Sequence, residues 1–301
     1  MTLYFVRKLL HGATTLLAMS VIGFVLMSLA PGSYFDEARL DPRLSPETVE
    51  SMRSRAGELT TLPHRYGRWL ASCLAGEAGY SVVYQVPVLP LLLPRLLKTM
   101  KLSAAGLALS WLTVLAVGLW SATRRQKGPA LFADGLTSIL AAIPELVLAC
   151  CLMVVGLHAG LVRDGNMWIP ALTLGLSGIP GLLPQVRAAL REVAEAPYLE
   201  LARVHGVRGW RFALVFWLRA AANPLLPLLG LSAGTMLSSS LVVEIISGWP
   251  GLGPLFVSSI ETRDSHVALA VVLLATGLLI AANTAADLLQ ALADPRVRAS
   301  R

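Results

Sequence analysis

Long uncharged apolar runs are the feature that most constrains this chain of 301 residues. A helix needs about 20 residues to cross the hydrocarbon core of a bilayer, because each residue adds only about 1.5 Å of length. Runs of this kind predict about six spans. They lie near residues 9–29, 102–122, 135–157, 167–186, 220–243 and 267–286. Because the runs are continuous and lack strict alternation, they predict helices rather than barrel strands, and hence an all-α integral membrane protein.

The composition agrees with a lipid environment and argues against several other classes. Hydrophobic residues make up 55% of the chain and charged residues 14%, with a mean hydropathy of +0.66, which exceeds that of an ordinary soluble domain. The net charge of +7 comes from basic residues spread between the apolar runs, so it does not indicate a nucleic-acid interface. The cysteine and histidine spacings predict neither a disulfide framework nor a metal site, and no lysine follows a glycine as in a P-loop.

Basic residues in the short connections predict the orientation, because Lys and Arg are retained on the cytoplasmic side. The connection between the fourth and fifth spans carries Arg187, Arg191, Arg203, Arg208, Arg211 and Arg219, whereas the two short connections on the opposite side carry only Arg163 and Arg263. This difference places that connection and both termini in the cytoplasm, and residues 31–96 outside. The first apolar run is longer than the core of a secretory signal, so we expect it to be a retained span.

Residues 230–234 read Gly-Leu-Ser-Ala-Gly, which matches the spacing of a hydrolase nucleophile elbow. That motif needs a preceding strand and a nearby histidine and acid, but this match lies inside an apolar run. Small residues four apart let membrane helices approach closely. We therefore interpret Gly230 and Gly234 as packing residues and predict no catalytic residue.

Three residues inside the apolar runs are candidates for a solute pathway, namely Glu145, Pro180 and Pro184. An ionisable group in a span costs roughly 2.5–3.5 kcal/mol, so it tends to face the bundle interior or an aqueous path. The alternative for Glu145 is a position near a helix end, from which it reaches the headgroups. Interior prolines bend or break a helix, which suits an element that lines a path, although packing alone also explains them.

The segment 191–211 predicts a short amphipathic helix. Pro197 can start it, acidic residues lie toward its beginning and basic residues toward its end, and Gly206 can stop it. The residues that share one face, at positions i, i+3, i+4 and i+7, are Tyr198, Leu201, Ala202 and His205. We expect this face to enter a groove of a partner, with Ala202 allowing close approach. The alternative is a helix that rests on the lipid headgroups.

Several stretches resemble the ABC importer permeases of the dipeptide and oligopeptide class. Residues 198–206, Tyr-Leu-Glu-Leu-Ala-Arg-Val-His-Gly, are similar to the Tyr-x-x-x-Ala-Arg-x-x-Gly form of that family's EAA loop. Val243-Glu244, residues 249–253 (Trp-Pro-Gly-Leu-Gly) and Arg263-Asp264 resemble the segments after its fifth span. The candidate coupling residues in the loop are Tyr198, Leu201, Ala202, Arg203, His205 and Gly206, and the family-motif residues beyond it are Asn223, Pro227, Glu244, Trp249, Pro250, Gly251, Leu252 and Gly253.

The resemblance implies the type I ABC importer permease fold, in which the EAA loop forms a coupling helix that docks on an ATPase. It further implies three kinds of partner, namely a second homologous permease, two ATPase subunits and a substrate-binding protein. The implied location is a bacterial inner membrane. ATP and Mg would be bound by the ATPases, with no cofactor or metal in this chain. The implied domains are the first span (1–30), an extracytoplasmic lobe (31–96), a permease core (97–290) containing the coupling loop (188–219), and a cytoplasmic tail (291–301). The long outer lobe between the first two spans is similar to that of the first of the two permeases that are usually paired in these systems.

Four positions depart from the family pattern, namely Pro197, Glu200, His205 and Ala222, where the family usually has Asp, a basic residue, Lys and Pro. The connection 157–167 is also short. The resemblance favours small peptides as the substrate, and it leaves nickel complexes, glutathione, metallophores and sugars as alternatives. The alternative function is a channel or secondary carrier that works alone through Glu145. A receptor or scaffold would leave the coupling-helix pattern unexplained.

Overall fold

A computed structural model of the chain describes residues 2–29, 39, 45–55, 61–123, 127–161, 166–194, 197–205, 207 and 209–293. The principal helices are α1 (Thr2–Leu29), α2 (Pro46–Arg55), α3 (Leu62–Leu74), α4 (Val88–Thr123), α5 (Lys127–Ala142), α6 (Glu145–His158), α7 (Trp168–Ala194), α8 (Pro197–Val204), α9 (Ala222–Ser247), α10 (Leu252–Glu261) and α11 (Ser265–Ala293). A small hairpin pairs β1 (Tyr80–Ser81) antiparallel to β2 (Val86–Pro87). Residues 209–220 form short helical turns around a π-helical segment, Phe212–Trp217.

Five of the described helices, α1, α4, α7, α9 and α11, are long and apolar enough to cross a membrane. They confirm the predicted all-α membrane fold, and each of them extends beyond its apolar run, with α4 and α7 as two examples. α4 begins at Val88 rather than near residue 102, so it takes up the end of the stretch assigned to the outer lobe. α7 continues to Ala194 rather than ending near residue 186. Both extensions contain charged residues, which a search for uncharged runs leaves out.

The third predicted span, 135–157, is not one straight helix. α5 and α6 meet at an angle of 94°, and the break between them falls at Ile143 and Pro144. Proline lacks a backbone N–H and disfavours helical conformation in the residue before it. Pro144 accordingly adopts an extended backbone, with φ −55° and ψ 140°, at the start of α6. The predicted span therefore corresponds to two shorter helices joined at a corner.

The chain divides into two compact units, of which the first comprises residues 1–4, 99–249 and 278–301. Its central helix is α7, which packs against α5, α6 and α9. Glycines bring α4 and α7 close together, since a Cβ at Gly106 would lie 2.5 Å from Cβ of Leu174 and one at Gly175 would lie 2.8 Å from Cβ of Leu109. The absence of side chains at these two positions therefore allows a close helix contact in this unit.

The small residues of the Gly-Leu-Ser-Ala-Gly stretch make a second close helix contact in the same unit. A Cβ at Gly230 would lie 1.9 Å from Cβ of Ala286, and one at Gly234 would lie 2.6 Å from Cδ1 of Leu279. Ser232 between them is buried, and its hydroxyl accepts a hydrogen bond from the indole N–H of Trp111 at 2.9 Å. These contacts confirm the packing role predicted for Gly230 and Gly234.

The second unit comprises residues 5–98 and 250–277. Within it, α3 lies against α1 through aromatic side chains, with 5.4 Å between the ring centroids of Phe24 and Tyr66. The hydroxyls of Ser20 and Tyr66 are also hydrogen bonded at 2.8 Å. Since α1 is a candidate span and α3 is amphipathic, this contact holds α3 at the side of a membrane helix.

The hairpin of the second unit is held by one buried carboxylate, that of Asp264, which is 1% exposed. Its Oδ2 accepts a hydrogen bond from the hydroxyl of Ser81 at 2.5 Å and one from the backbone N–H of Val83 at 3.4 Å. Its Oδ1 accepts one from the N–H of Val267 in the first turn of α11, also at 3.4 Å. The carboxylate thus caps α11 and attaches the hairpin to its start.

Candidate functional site

The short helix predicted between the fourth and fifth spans is present as α8, with eight residues. It begins at Pro197, because the fixed φ of proline suits the first helical position. Its last turn is closed by the N–H of His205 on the carbonyl of Leu201 and by the N–H of Val207 on that of Ala202, at 3.0 and 3.1 Å. Gly206 and the side chains of Tyr198 and Arg203 lie outside what the structure describes.

One side of α8 is buried in its own unit. Leu199 is 0% exposed and Ala202 is 8% exposed, and both belong to the apolar core that includes Leu190 and Trp217. Ala202 therefore does not lie on the face predicted to enter a partner's groove. The reason is that a helix of only about two turns on a loop must bury one side against its own chain to be held in place.

The other side of α8 exposes an apolar surface. Leu201 is 59% exposed and Val204 is 76% exposed, and His205 follows them on the same side at i, i+3 and i+4. A ring nitrogen of His205 is 2.9 Å from the carbonyl oxygen of Leu201. We call Leu201, Val204 and His205 the exposed stripe of α8. Of the residues predicted to form the docking face, Leu201 and His205 lie on this stripe.

A tryptophan that sequence reasoning missed ties the region around α8 to α7. The indole N–H of Trp217 donates to the carbonyl of Leu190 at 2.9 Å, and the side chain is 1% exposed. Its ring lies 5.9 Å from that of Phe212, at the other end of the π-helical segment. The available signal was a tryptophan in a segment between spans, since a buried indole N–H usually finds an acceptor. This hydrogen bond joins the π-helical segment to the end of α7.

Glu145 lies at the corner between α5 and α6 and connects three helices. It is the first residue of α6 and is half-buried. Its Oε1 accepts a hydrogen bond from the hydroxyl of Ser177 on α7 at 3.2 Å, and its Oε2 accepts one from that of Ser239 on α9 at 3.0 Å. Of the roles considered for this residue, the structure thus supports a contact between helices. Sequence reasoning missed both serines, although an acid in an apolar run requires donors from other spans.

The two candidate prolines lie on one continuous helix. α7 runs without a break from Trp168 to Ala194 and contains both Pro180 and Pro184. Pro180 is half-buried and Pro184 is exposed in the isolated chain, and Gly181 between them has open space beside it. At Gly181 and Pro184, this side of α7 is therefore not covered by the residues that the structure describes.

The motif after the fifth span forms a turn between α9 and α10. Gly248 adopts a left-handed backbone, with φ 68° and ψ 16°, and ends α9, whereas Gly251 precedes α10. Because Glu244 closes the fifth apolar run, the sequence predicts it at the outer rim of the bundle, but its side chain is 0% exposed in the last turns of α9 and lies inside the protein. Of the remaining residues of this motif, Gly251, Leu252 and Gly253 are buried, Trp249 is half-buried and Pro250 is exposed. Their part in the structure is to shape the connection.

Asn223 and Pro227, the two family-motif residues at the start of the fifth span, lie in the first turns of α9. Asn223 is exposed and Pro227 is half-buried. Pro227 sits inside the helix, where it removes one backbone hydrogen bond. Both residues therefore belong to the end of α9 that follows the α8 connection.

A buried arginine in an ion pair lies where the sequence predicted loop charges. Arg187 is part of α7, is 7% exposed and pairs through Nη1 with the carboxylate of Asp134 on α5. Because α7 extends to Ala194, this arginine is inside a helix rather than in the connection that follows. A buried charge of this kind needs a partner, and Asp134 provides it.

Comparisons with known proteins are consistent along nearly the whole chain. A family model described as binding-protein-dependent transport system inner membrane component matches residues 114–299. The glutathione transport system permease protein GsiC of Pectobacterium atrosepticum is 32% identical over 304 residues, which cover 98% of each chain. The oligopeptide transport system permease protein AppB of Bacillus subtilis is 29% identical over 316 residues, which cover 99% of each chain.

A solved structure shares the fold. An inward-facing form of the MetNI methionine ABC transporter superposes with a TM-score of 0.59 and 19% sequence identity. The match covers 68% of this chain and 97% of that one. At this identity the likeness concerns the arrangement of the helices alone.

Proposed function

This chain belongs to the family of binding-protein-dependent transport system inner-membrane components, and from that premise we propose how it couples ATP to transport. It is a multi-pass permease subunit of an ABC importer. The family therefore favours transport in a complex over the alternative of a carrier that works alone. We propose that the exposed stripe of α8 docks on an ATPase subunit that binds ATP and Mg in place of this chain. The observation that carries the proposal is an apolar stripe on a helix whose opposite side is fixed in the core.

The coupling we propose is mechanical. Movement of the ATPase would push on Leu201 and Val204, while Leu199 on the buried side transmits the displacement to the core around Leu190. The hydrogen bond from Trp217 to Leu190 lies at the end of α7, so a displacement there reaches the helix that carries Pro180 and Pro184. A rigid-body shift of this kind switches access between the two sides of a membrane. ATP and the loaded binding protein drive it by binding the two states unequally.

We further propose the arrangement of the complex. A second homologous permease covers the open side of α7, so that Pro180, Pro184 and Glu145 lie at or near the shared path. Two ATPases lie on the side of α8 and a substrate-binding protein on the other. The excess of arginines in the connection that contains α8 supports a cytoplasmic location for it and for both termini.

For the substrate we propose small peptides. The support is that relatives at 29–32% identity along nearly their full length are named for glutathione and oligopeptide transport. Glutathione is itself a small peptide, so one substrate class accounts for both names. Selection among peptides would rest with the binding protein rather than with this chain.

The test is a pair of serine substitutions on the exposed stripe, Leu201→Ser with Val204→Ser, in the complex assembled with its ATPases. We expect ATP-driven peptide uptake to fall about tenfold or more, because truncating two central apolar residues of an interface costs more than 1 kcal/mol. Retention of the ATPase on purification should fall in parallel. The matched control is Arg191→Ser, at an exposed residue in the last turn of α7 that is not part of the stripe, and it should leave both uptake and retention unchanged. Normal uptake and normal assembly in the double variant would refute the docking role.

A further inference from the structure

A cavity of about 200 Å³ lies in the second unit, and none of the residues discussed for coupling or for the path lines it. Three helices line it, namely α1, α3 and the start of α11. From α3 come Arg65, Arg68, Trp69 and Ser72, which share one helical face because they are spaced i, i+3, i+4 and i+7. Two guanidinium groups, a hydroxyl and an indole therefore point to the same side of α3.

The position of α3 is fixed, so the cavity is built into the fold rather than left between loose side chains. Trp69 is 5% exposed, and its ring packs 6.0 Å from Phe24 on α1 and 5.9 Å from Tyr66 on α3. Its buried indole Nε1 has no hydrogen-bond acceptor among the described residues. A buried N–H without an acceptor is costly. An oxygen ligand in the cavity that this side chain lines would supply one.

The charge of the cavity favours an anion. Arg65 forms no ion pair with a carboxylate in the part of the chain that the structure describes, and the first turn of α11, with Ser265 and His266, adds the positive end of a 29-residue helix. Asp264 precedes this turn, and its buried carboxylate offsets part of the positive charge there. It accepts hydrogen bonds from the hairpin and from Val267 and does not line the cavity, whereas Arg65 and Arg68 do.

The opposite wall is apolar and belongs to membrane helices. Phe24 and Met27 come from the last turns of α1, and Leu269 comes from the first turns of α11. Both helices are candidate spans, so these turns lie where each span reaches the same membrane surface. The cavity thus combines cationic groups on the α3 side with apolar groups on the side of the hydrocarbon. This combination matches a molecule that has an anionic head and acyl chains.

We propose that this cavity binds the headgroup of an anionic phospholipid, with the phosphate between Arg65 and Arg68 and the acyl chains along α1 and α11. The bound lipid would hold α3 against the two spans. The proposal does not depend on which side of the membrane the cavity faces or on the docking role of α8. Its failure and that of the proposed function are therefore distinguishable.

The experiment compares the full chain in nanodiscs of phosphatidylcholine alone and of phosphatidylcholine with phosphatidylglycerol, followed by native mass spectrometry for retained lipid. We expect the wild-type chain to retain phosphatidylglycerol in preference to phosphatidylcholine. The double variant Arg65→Gln with Arg68→Gln should lower that retention about tenfold or more, because each arginine near an anionic surface contributes about 1 kcal/mol. The control Arg95→Gln removes the same charge from the same unit outside the cavity and should retain the lipid as the wild type does.

A milder variant guards against a double variant that does not fold. Trp69→Phe keeps the ring that packs on Phe24 and Tyr66 but removes the indole N–H, so it should fold and lose retention several-fold. Equal retention of both lipids by the wild type, or wild-type retention by both variants, would overturn the proposal. The proposal would also be overturned if inorganic phosphate, in discs of phosphatidylcholine alone, raised the thermal stability as much as phosphatidylglycerol does. That result would assign the cavity to a soluble anion.

Discussion

Adding one methyl group at Gly230 tests the close contact between α9 and α11 directly. A Cβ there would lie 1.9 Å from Cβ of Ala286, whereas ordinary contact begins near 3.4 Å, so about 1.5 Å of separation is missing. Neither methyl group can rotate away, because a Cβ is fixed by its backbone. The two helices must therefore move apart if Gly230 is replaced by alanine.

The expected magnitude follows from two opposing effects. Overpacking a well-packed core costs about 1–3 kcal/mol, whereas replacing glycine by alanine inside a helix returns roughly 0.5–1 kcal/mol. Gly230→Ala should thus lower the free energy of unfolding by about 1–2 kcal/mol. Gly277 on α11 is the matched control, because a Cβ there meets nothing within 4 Å. Gly277→Ala should raise the stability by roughly 0.5–1 kcal/mol.

The assay is unfolding of the purified chain in mixed micelles with increasing dodecyl sulfate, followed by circular dichroism. A compensating variant, Gly230→Ala with Ala286→Gly, moves the methyl group from one helix to the other and keeps the same residue composition. It should recover most of the lost stability. If Gly230→Ala is as stable as Gly277→Ala, or if the compensating variant is no better than Gly230→Ala, the close contact is not what limits these helices.

Two further predictions concern polar groups. Glu145→Ala should lower the free energy of unfolding by about 1–3 kcal/mol because it removes the acceptor for two serine hydroxyls, whereas Glu145→Gln should lose less since its amide oxygen still accepts a hydrogen bond. Equal stability of both variants and the wild type would contradict a helix-connecting role. Burial raises the pKa of the Cys73 thiol, and the thiolate is the form that reacts with alkylating agents. In a Cys150→Ser, Cys151→Ser background, alkylation of Cys73 should therefore be slow at neutral pH. Its rate should rise with pH, but at higher pH values than in the unfolded chain. The same pH profile in the folded and unfolded chains would refute that shift.

Much of the fold could be predicted because the length of an uncharged apolar run is enough to indicate a membrane span. The runs near residues 9–29, 220–243 and 267–286 coincide with α1, α9 and α11, and the packing role of Gly230 follows from small residues spaced four apart. The corner at Pro144 was missed because hydropathy averages over both arms of the bent pair. The early start of α4 was missed because Arg95, Lys98 and Lys101 lie between its first turns and its apolar run, and a search for uncharged runs stops at them.

The candidate site was predictable as a segment but not as a surface. Pro197 and the periodicity after it predicted α8, yet the buried side is decided by the core that receives Leu199 and Ala202, and this depends on distant residues such as Trp217. The contacts of Glu145 with Ser177 and Ser239 join residues on three helices. Neither partner is special in its own stretch of sequence. Contacts of this kind become visible only when the helices are packed.

The corner between α5 and α6 determines whether the number of membrane crossings is odd or even. Its arms of 16 and 14 residues measure about 24 and 21 Å, so each is shorter than a hydrocarbon layer of about 30 Å. With five other crossings, a corner that passes through gives an even total and leaves both ends of the polypeptide in one compartment. A corner that turns back gives an odd total and separates them. A compartment-sensitive reporter at each terminus would therefore show whether the α5–α6 corner passes through the membrane or turns back.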